Sequence, residues 1–459
     1  MTSALPVMAG AEVDRVLLGL LALASAALLL LVARRWPIVL AVLYLAVMGL
    51  VPIWTGVSIV VFIQPQVAVA LLVLAVALPQ VRRLGTRLTA VDLGVALFVL
   101  ACLLPLLVGR TSLSYLFLAG VQYLGAYLVG RLLPLLVGEG RLLVVVTAVF
   151  AVVAALALVE YATGTNLFQS FPGSASVHGN WEAIQLRGGV ARAEGAFGHS
   201  IALGASLALA LPLVLAAPLP VALRAAAALL LLAAVVVTFS RISLVTACLG
   251  ALLSLLMARE LPGRLRALLV AGGAAVAAVA VPLVDQVLVA AGDEAADSAA
   301  YRGDLVSLIG SIGPLGTSTA FGRAADGSVS FGAFGSIDSA LILHGLWFGW
   351  ASLAVGLVLL AAAAGTVLVR RASAPTIAVV AQLPALATVA LITQYASMFW
   401  FVAGLAVCAQ TMRSRTARDD ATTVGGAVTR AGERPVEDHM TGIRSGQEPL
   451  SARAAEGRQ

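Results

Sequence analysis

Two residues close to a boundary between a polar and an apolar segment have side chains suited to acid–base chemistry. Asp338 enters a long apolar run, and His344 follows six positions later within that run. A carboxylate or imidazole at such a boundary can act as the general base toward a hydroxyl group. Structural roles are open for both: Ser336 or Asp338 can cap the helix that begins here, and His344 can simply be packed.

Three arginines flank the same polar segments and offer a different chemistry. Arg192, Arg241 and Arg302 precede or separate apolar runs. Planar guanidinium forks suit phosphate oxygens, so the three predict a site for an anionic diphosphate at the membrane surface. Each also has an alternative: Arg192 can pair with Glu194, Arg302 can pair with Asp304, and Arg241 can be an interfacial anchor.

The remaining histidines and the cysteines carry no metal pattern. His178 and His199 suit loop or helix-cap positions. Cys102, Cys248 and Cys408 lie far apart in apolar runs, without the spacing of a disulfide or metal site. We therefore expect no bound metal.

The composition sets the fold class. Hydrophobic residues make up 61% of the chain, charged residues 11%, and the mean hydropathy is +1.04. Apolar runs long enough to cross a bilayer recur along the sequence, and in lipid they must be helical. The sequence predicts an all-α, polytopic integral membrane protein with about 12–14 transmembrane helices and two long extracytoplasmic loops. The predicted spans are 16–33, 37–53, 66–80, 91–108, 113–130, 142–160, 198–217, 221–239, 242–258, 267–285, 337–363, 375–392 and 395–411.

These spans divide the chain into six regions. Helices and loops alternate in the following order: 1–160, N-terminal transmembrane helices; 161–197, an extracytoplasmic loop; 198–285, transmembrane helices with a Ser-Arg pair; 286–336, a large extracytoplasmic loop; 337–411, C-terminal transmembrane helices; and 412–459, a disordered cytoplasmic tail.

Arginine placement predicts the orientation. The net charge of +6 contains no lysine, and the arginines are spread through interhelical loops, which argues against a nucleic-acid-binding surface. Alternate short loops on one side hold 13 arginines, whereas the opposite side holds three outside its two long loops. The positive-inside rule makes the first side cytoplasmic, so both long loops face outward.

Four segments then resemble a known family. Residues 192–204 read RAEGAFGHSIALG, 238–244 read TFSRISL, and an arginine-led segment runs from Arg302 to Gly316 through Pro-Leu-Gly. In the register of a His-Asn-x-x-Leu motif followed by glycine, this chain has Asp338, Ser339, Ile342 and Gly349. Together these segments resemble the O-antigen ligase and polymerase family of polytopic membrane glycosyltransferases.

The resemblance implies a reaction and a place. It implies transfer of a glycan from a polyprenyl diphosphate, such as undecaprenyl diphosphate, to an acceptor hydroxyl on the outer face of a bacterial plasma membrane. Neither a nucleotide sugar nor a cofactor is implied. Arg192, Arg241 and Arg302 would bind the diphosphate, and Asp338, with His344 as the alternative, would be the base. Aspartate in the position of the family's histidine favours a polymerase over a ligase.

Two other functions fit a polytopic membrane protein. A secondary transporter or exporter of a lipid or small molecule would carry acidic or basic residues near the bilayer midplane. The predicted spans hold Asp92, Glu160 and Asp285 only at their ends, and no inverted repeat is evident. A non-catalytic scaffold would not need two long outer loops that both carry arginines.

Overall fold

The computed structural model describes residues 31–58, 61–107, 109, 113–181, 183–257, 261–290, 292, 301, 303–323 and 329–432. This part of the chain is mostly helical, and its few strands are short. The helices that begin and end within it are α1 (Ile38–Leu50), α2 (Pro65–Ala77), α3 (Ala90–Leu107), α4 (Leu113–Val137), α5 (Glu139–Thr163), α6 (Ala175–Trp181), α7 (Ser200–Ala216), α8 (Val221–Val237), α9 (Arg241–Met257), α10 (Gly263–Ala290), α11 (Ala340–Phe348), α12 (Trp350–Leu368), α13 (Ala374–Ala381), α14 (Leu383–Thr388) and α15 (Thr393–Gly432).

The strands form three antiparallel hairpins in loops. They are β1 (Val57–Ser58) with β2 (Phe62–Ile63), β3 (Leu186–Arg187) with β4 (Val190–Ala191), and β5 (Phe321–Arg323) with β6 (Val329–Phe331). The last two hairpins lie in the two segments that the sequence predicts as long loops.

The prediction of a helical, polytopic membrane protein is confirmed at this level. Among the described residues, six helices are long and apolar enough to cross a membrane, namely α3, α4, α5, α10, α12 and the first part of α15. Shorter apolar helices, including α7, α8 and α9, lie beside them.

Helix α7 forms the centre of the bundle. Of its 17 residues, 15 are buried, and it packs against α5, α8, α9 and α13. A helix that is apolar on every side can face lipid or other helices, and these contacts place α7 among other helices. The segment that leads into α7 is therefore tied to the most buried part of the protein.

Two glycines, one on each helix, allow α4 and α15 to pack closely together. A side chain at Gly130 would overlap the carbonyl of Phe401, and one at Gly404 would overlap the carbonyl of Tyr127. Only glycine allows the two backbones to approach so closely, as is common between membrane helices.

The single span predicted for 337–363 is wrong in detail. It is divided at Gly349 into α11 and α12, and Gly349 has a φ of 86° that favours glycine. A side chain there would lie 2.7 Å from the Cα atom of Leu315. Backbone hydrogen bonds from Gly316 to Phe348 and from Trp350 to Gly313 hold the loop in this break.

The final helix also extends further than predicted. Helix α15 continues to Gly432, into the region that composition assigns to a disordered tail. The extension includes several alanines and arginines, which favour helix formation.

The helices leave two distinct ends. Of the described residues, the loop-bearing end contains 51–58, 61–64, 164–181, 183–199, 238–240, 301, 303–323, 329–339 and 389–392, and the arginine-rich end contains 81–89, 138, 217–220 and 369–373. Gln394 joins loops of the first end, since its amide donates to the carbonyls of Val51 (3.1 Å) and Ala196 (2.8 Å).

Candidate functional site

A strained turn between α8 and α9 forms the centre of the candidate site. Phe239 has a φ of 46° and is 1% exposed, and its ring packs against Tyr161. A left-handed conformation is unusual for an aromatic residue and costs of the order of 1–3 kcal/mol, so surrounding contacts must hold it. Ser240 then caps α9, with its hydroxyl accepting a 3.3 Å hydrogen bond from the Ser243 amide.

The β3–β4 hairpin supplies the contacts that hold this turn. Gly188 and Gly189 between its strands both have positive φ values, as a two-residue Gly-Gly turn requires. Arg187 Nη1 donates to the carbonyl of Phe239 at 3.1 Å, and Arg192 Nε donates to the carbonyl of Thr238 at 2.9 Å.

A backbone hydrogen bond also holds the C-terminal end of α8. The amide of Ala193 donates to the carbonyl of Val237 at 3.1 Å. Three successive carbonyls at the C-terminal end of α8 thus accept hydrogen bonds from the hairpin. Cations are favoured at this end of a helix by its dipole. We name Arg187, Arg192 and the segment Thr238–Arg241 the basic turn.

Arg241 differs from the other two arginines. It is exposed, and it forms no hydrogen bond or ion pair with any residue that the structure describes. As the first residue of α9 it lies at the positive end of a helix dipole, where a cation is unfavourable in isolation. An anion bound there would gain from both the dipole and the guanidinium group.

A buried carboxylate lies beside the basic turn. Glu160 is 6% exposed, and it accepts hydrogen bonds from the amides of Glu194 (3.0 Å) and Gly195 (2.8 Å). The side-chain amide of Asn166 donates to Glu160 Oε1 and to the Gly195 carbonyl, both at 3.0 Å. The peptide 194–195 is therefore held from both sides.

Glu194 adds a second carboxyl group. It is 1% exposed, and its Oε1 accepts a 2.9 Å hydrogen bond from the Gln185 amide. Burial raises the pKa of Glu194 to about 7; the Gln185 amide opposes this shift, Glu160 adds to it and Arg192 opposes it. Glu194 thus titrates near neutral pH.

His199 caps α7, as one of its two sequence interpretations predicts. Its Nδ1 accepts a 3.2 Å hydrogen bond from the Ile201 amide. Burial, with a further contribution from Arg192, lowers the pKa of His199 to about 4. The imidazole is therefore neutral at pH 7, which the cap requires.

The space within this cluster is small. A narrow crevice, too small to enclose a water molecule, is lined by Glu160, Tyr161, Gly164, Ile184, Ala191, Arg192 and Ala193. The crevice does not admit a glycan in this conformation, so the exposed Arg241 is the accessible part of the site.

Asp338 lies at the same end of the bundle. It is half-buried and does not cap α11: Ser339 does, accepting a 3.2 Å hydrogen bond from the Ile342 amide. The Ser336 hydroxyl donates to Asp338 Oδ1 at 3.4 Å, and the Tyr301 hydroxyl donates to the carbonyl of Ser336. Arg302, the third predicted diphosphate ligand, lies outside the described residues.

His344 lies inside the bundle. Its Nε2 is 3.0 Å from the Ser352 hydroxyl, and its ring stacks on Phe98 at 4.8 Å between centroids. Cys102 and Phe348 complete its surroundings. These contacts are those of a packed histidine, so Asp338 is the better placed of the two predicted bases.

One short helix packs against both the helix that follows Asp338 and the helix that begins at the basic turn. Helix α14 packs against α9, which begins at Arg241, and against α11, which begins two residues after Asp338. The Ala340 amide donates to the carbonyl of Val389, just after α14, at 2.9 Å. The structure therefore brings Arg192, Arg241 and Asp338 to one end of the protein.

Three residues of the site were not identified from the sequence: Arg187, Glu160 and Glu194. The segment Leu-Arg-Gly-Gly-Val-Ala-Arg (186–192) contains a detectable hairpin signal, two glycines between short runs of strand-forming residues. Glu160 lies at the end of a predicted apolar span, and Glu194 is two residues from Arg192, so the sequence indicates only a span end and a local ion pair.

The comparisons with known proteins leave the family open. No family model, no curated protein and no solved structure matches this chain. Within the described residues, no group of three or more His, Cys, Asp or Glu side chains is placed to bind a metal ion.

Proposed function

We propose that this protein is a membrane glycosyltransferase of the O-antigen ligase and polymerase type. It transfers a polyprenyl-diphosphate-linked glycan to an acceptor hydroxyl at the loop-bearing end, with polymerisation favoured over ligation. The setting proposed is the outer face of a bacterial plasma membrane, with membrane lipids as its surroundings. The observation that carries the proposal is the basic turn, where exposed Arg241 directly follows carbonyls bound by Arg187 and Arg192.

The basic turn suits a diphosphate leaving group. Glycosyl transfer from a lipid diphosphate breaks the bond between the anomeric carbon and the phosphate oxygen, and negative charge develops on that oxygen. Pre-oriented cations stabilise such charge without further reorganisation. Arg241 offers a bidentate fork at a helix N-terminus, and Arg192, with Arg302 as a further ligand, would add to the positive field.

Asp338 would supply the base. The acceptor oxygen forms the new bond to the anomeric carbon, and its proton passes to the Asp338 carboxylate. A half-buried carboxylate in contact with one serine hydroxyl at 3.4 Å has oxygen lone pairs available for this transfer. His344 is the alternative base, and its packing inside the bundle makes it the weaker one.

A secondary transporter is the alternative function. The observation that favours it is the ion pair between Asp92 and Arg131 in the candidate spans α3 and α4, at 2.9 Å. Charged groups within spans often mark ion pathways. Here the pair is at the arginine-rich end and is tied to a backbone carbonyl of Arg87, an arrangement typical of a fixed clamp.

Lipid-linked glycan analysis in a strain that lacks the protein tests the proposal. Accumulation of single repeat units would indicate a polymerase, and accumulation of long chains would indicate a ligase. An unchanged pool of lipid-linked glycan would contradict both.

Complementation with variants then tests the site. Arg241→Lys keeps the charge but loses the bidentate fork, and we expect both it and Arg241→Ala to restore little transfer at normal membrane levels. Arg323→Ala, at another exposed arginine of the loop-bearing end, is the matched control and should restore transfer. Full activity of Arg241→Ala would reduce Arg241 to an interfacial anchor.

A further inference from the structure

We propose that Glu160 is a positioning residue that holds the basic turn together by binding the backbone of residues 194–195. The inference rests on the proposed function, because it assigns how the diphosphate site is kept in its binding form. Glu160 itself touches no substrate in this scheme. It acts through the peptide that connects Arg192 to α7.

The surroundings of Glu160 point to this role. Its carboxylate forms no ion pair with any residue in the described part of the chain. Two backbone amides and the Asn166 amide group satisfy it instead. Burying a carboxylate is costly, and N–H groups aimed at both oxygens offset that cost. The carboxylate therefore fixes backbone atoms in place and does not neutralise an arginine.

Glu160 binds the two amides of the peptide 194–195, whereas other groups bind its oxygens. The Gly195 carbonyl accepts a hydrogen bond from Asn166, the Glu194 carbonyl accepts one from the Phe197 amide, and Glu194 Oε1 accepts one from the Gln185 amide. Gly195 has a φ of 55° and starts a short 3₁₀ turn, Gly195–Phe197. On the other side, Ala193 and Arg192 bind the carbonyls of Val237 and Thr238. If residues 194–195 shift, the same chain segment pulls Arg192 away from the end of α8.

The same end of α5 also reaches the strained residue of the turn. Tyr161, next to Glu160, packs its ring 5.8 Å from that of Phe239. Helix α5 packs along α8, whose C-terminal carbonyls the hairpin binds. Helix α5 therefore contacts the basic turn directly through the Tyr161 ring, and it reaches Arg192 indirectly through the peptide 194–195 that the Glu160 carboxylate binds.

The variant Glu160→Gln removes the negative charge and one acceptor oxygen but keeps the size of the side chain. Glutamine has one acceptor oxygen, so its NH₂ group would face one of the two backbone N–H groups that the carboxylate binds. Thr163→Ala is the matched control, because Thr163 lies on the same helix end and is exposed. Within the described ranges, its hydroxyl forms hydrogen bonds with Val159 and Thr165 alone. Asn166→Ala removes the second tether without adding or removing charge.

The experiment uses the purified full chain in nanodiscs, with inorganic pyrophosphate as the probe. Binding is measured by calorimetry, and amide hydrogen exchange is followed for the peptide covering 193–197. We expect Glu160→Gln to exchange faster there and to bind pyrophosphate roughly ten-fold more weakly or worse. Asn166→Ala should show a smaller effect of the same kind, and Thr163→Ala should match the wild type.

The outcomes separate the two proposals. Absence of pyrophosphate binding by the folded wild type would reject the anion site and hence the proposed function. Binding by the wild type together with unchanged affinity and exchange in Glu160→Gln would reject the positioning role alone. Should Glu160→Gln not fold, Asn166→Ala decides: wild-type exchange and affinity in that variant would overturn the inference.

Discussion

Two buried carboxylates at opposite ends of the bundle are satisfied in different ways. At the arginine-rich end, Asp92 meets a guanidinium: Arg131 Nε and Nη2 bind its two oxygens at 2.9 and 3.0 Å. Tyr127 and Thr89 add further hydrogen bonds. At the loop-bearing end, the partners of Glu160 among the described residues are N–H groups of the backbone and of an asparagine.

The arginines show the complementary difference. Arg131 is 7% exposed in its side chain, and its charge is met by Asp92. In contrast, Arg187 and Arg192 contact backbone carbonyls, and Arg241 is exposed. A carbonyl orients a guanidinium without cancelling its charge. The first arrangement joins two helices, whereas the second leaves the guanidinium charges available to the anion that we propose as a ligand.

The largest expected difference between the two ends is their accessibility from outside the cell, because an introduced cysteine is either labelled by an impermeant reagent or not labelled. In intact cells of a cysteine-free background, we expect a membrane-impermeant thiol reagent to label Ser170→Cys and Thr319→Cys. Leu88→Cys, which is 94% exposed in the wild type at the arginine-rich end, should be labelled only after permeabilisation. Labelling of Leu88→Cys in intact cells would reverse the orientation and place the basic turn in the cytoplasm.

The next largest effect should come from the Asp92–Arg131 pair, and it should be on stability. Asp92→Asn leaves Arg131 buried without its counter-charge, which costs about 3–5 kcal/mol of unfolding free energy. Thermal unfolding in detergent measures this loss. The double variant Asp92→Asn with Arg131→Met should recover much of it, because no unpaired charge remains. A wild-type melting temperature for Asp92→Asn would show that the pair does not clamp α3 to α4.

At the other end, Asp338→Asn should affect transfer and leave folding intact. Asparagine keeps a hydrogen-bonding oxygen but cannot accept a proton as a base, and loss of a general base costs about 10²–10⁴-fold in rate. We therefore expect at least a ~100-fold loss of glycan transfer at normal membrane levels. The matched control is Asp304→Asn at an exposed loop carboxylate, which should be active. His344→Ala should be milder; the reverse result would move the base to His344.

The smallest effect should be the pH dependence contributed by Glu194. Because its folded pKa is raised to about 7, its contribution to stability is complete below the unfolded value of 4.5 and is lost as pH rises to about 7. Glu194→Gln should therefore gain stability over the wild type across this window, by roughly 1–3 kcal/mol at pH 7.5. Melting temperatures at several pH values measure the difference.

His199 must be separated from Glu194 in that experiment. Its folded pKa is lowered to about 4, so its contribution falls as pH drops from 6.5 toward 4, opposite in sign to that of Glu194. His199→Asn keeps a helix cap and removes the titration. A constant difference between Glu194→Gln and the wild type across pH would mean that Glu194 is not protonated in this range.

The membrane class follows from the sequence alone, and the sequence also selects several residues of the candidate site. Long apolar runs predict membrane helices, because in lipid a backbone must satisfy its hydrogen bonds within the helix. Arg241 was identified because it is a charge between two apolar runs, and Asp338 because it begins a helix after a polar loop. Each of these signals is local, contained within about twenty residues.

The rest of the site was decided by contacts between distant parts of the chain. Glu160 binds amides 34 and 35 residues away, and Arg187 binds a carbonyl 52 residues away. Neither residue carries a local signal of its partner. The break at Gly349 likewise depends on the loop at Leu315 lying against it.

Hydropathy therefore determined by itself that this chain is a helical membrane protein, and charge placement marked Arg241 and Asp338. Only the tertiary structure decided that Ser339 rather than Asp338 caps α11, that His344 is packed, and that Arg187 joins Arg192 on the turn before Arg241. The physical reason is that a side chain's apolar character is its own property, whereas its hydrogen-bond partner depends on which loop folds back against it.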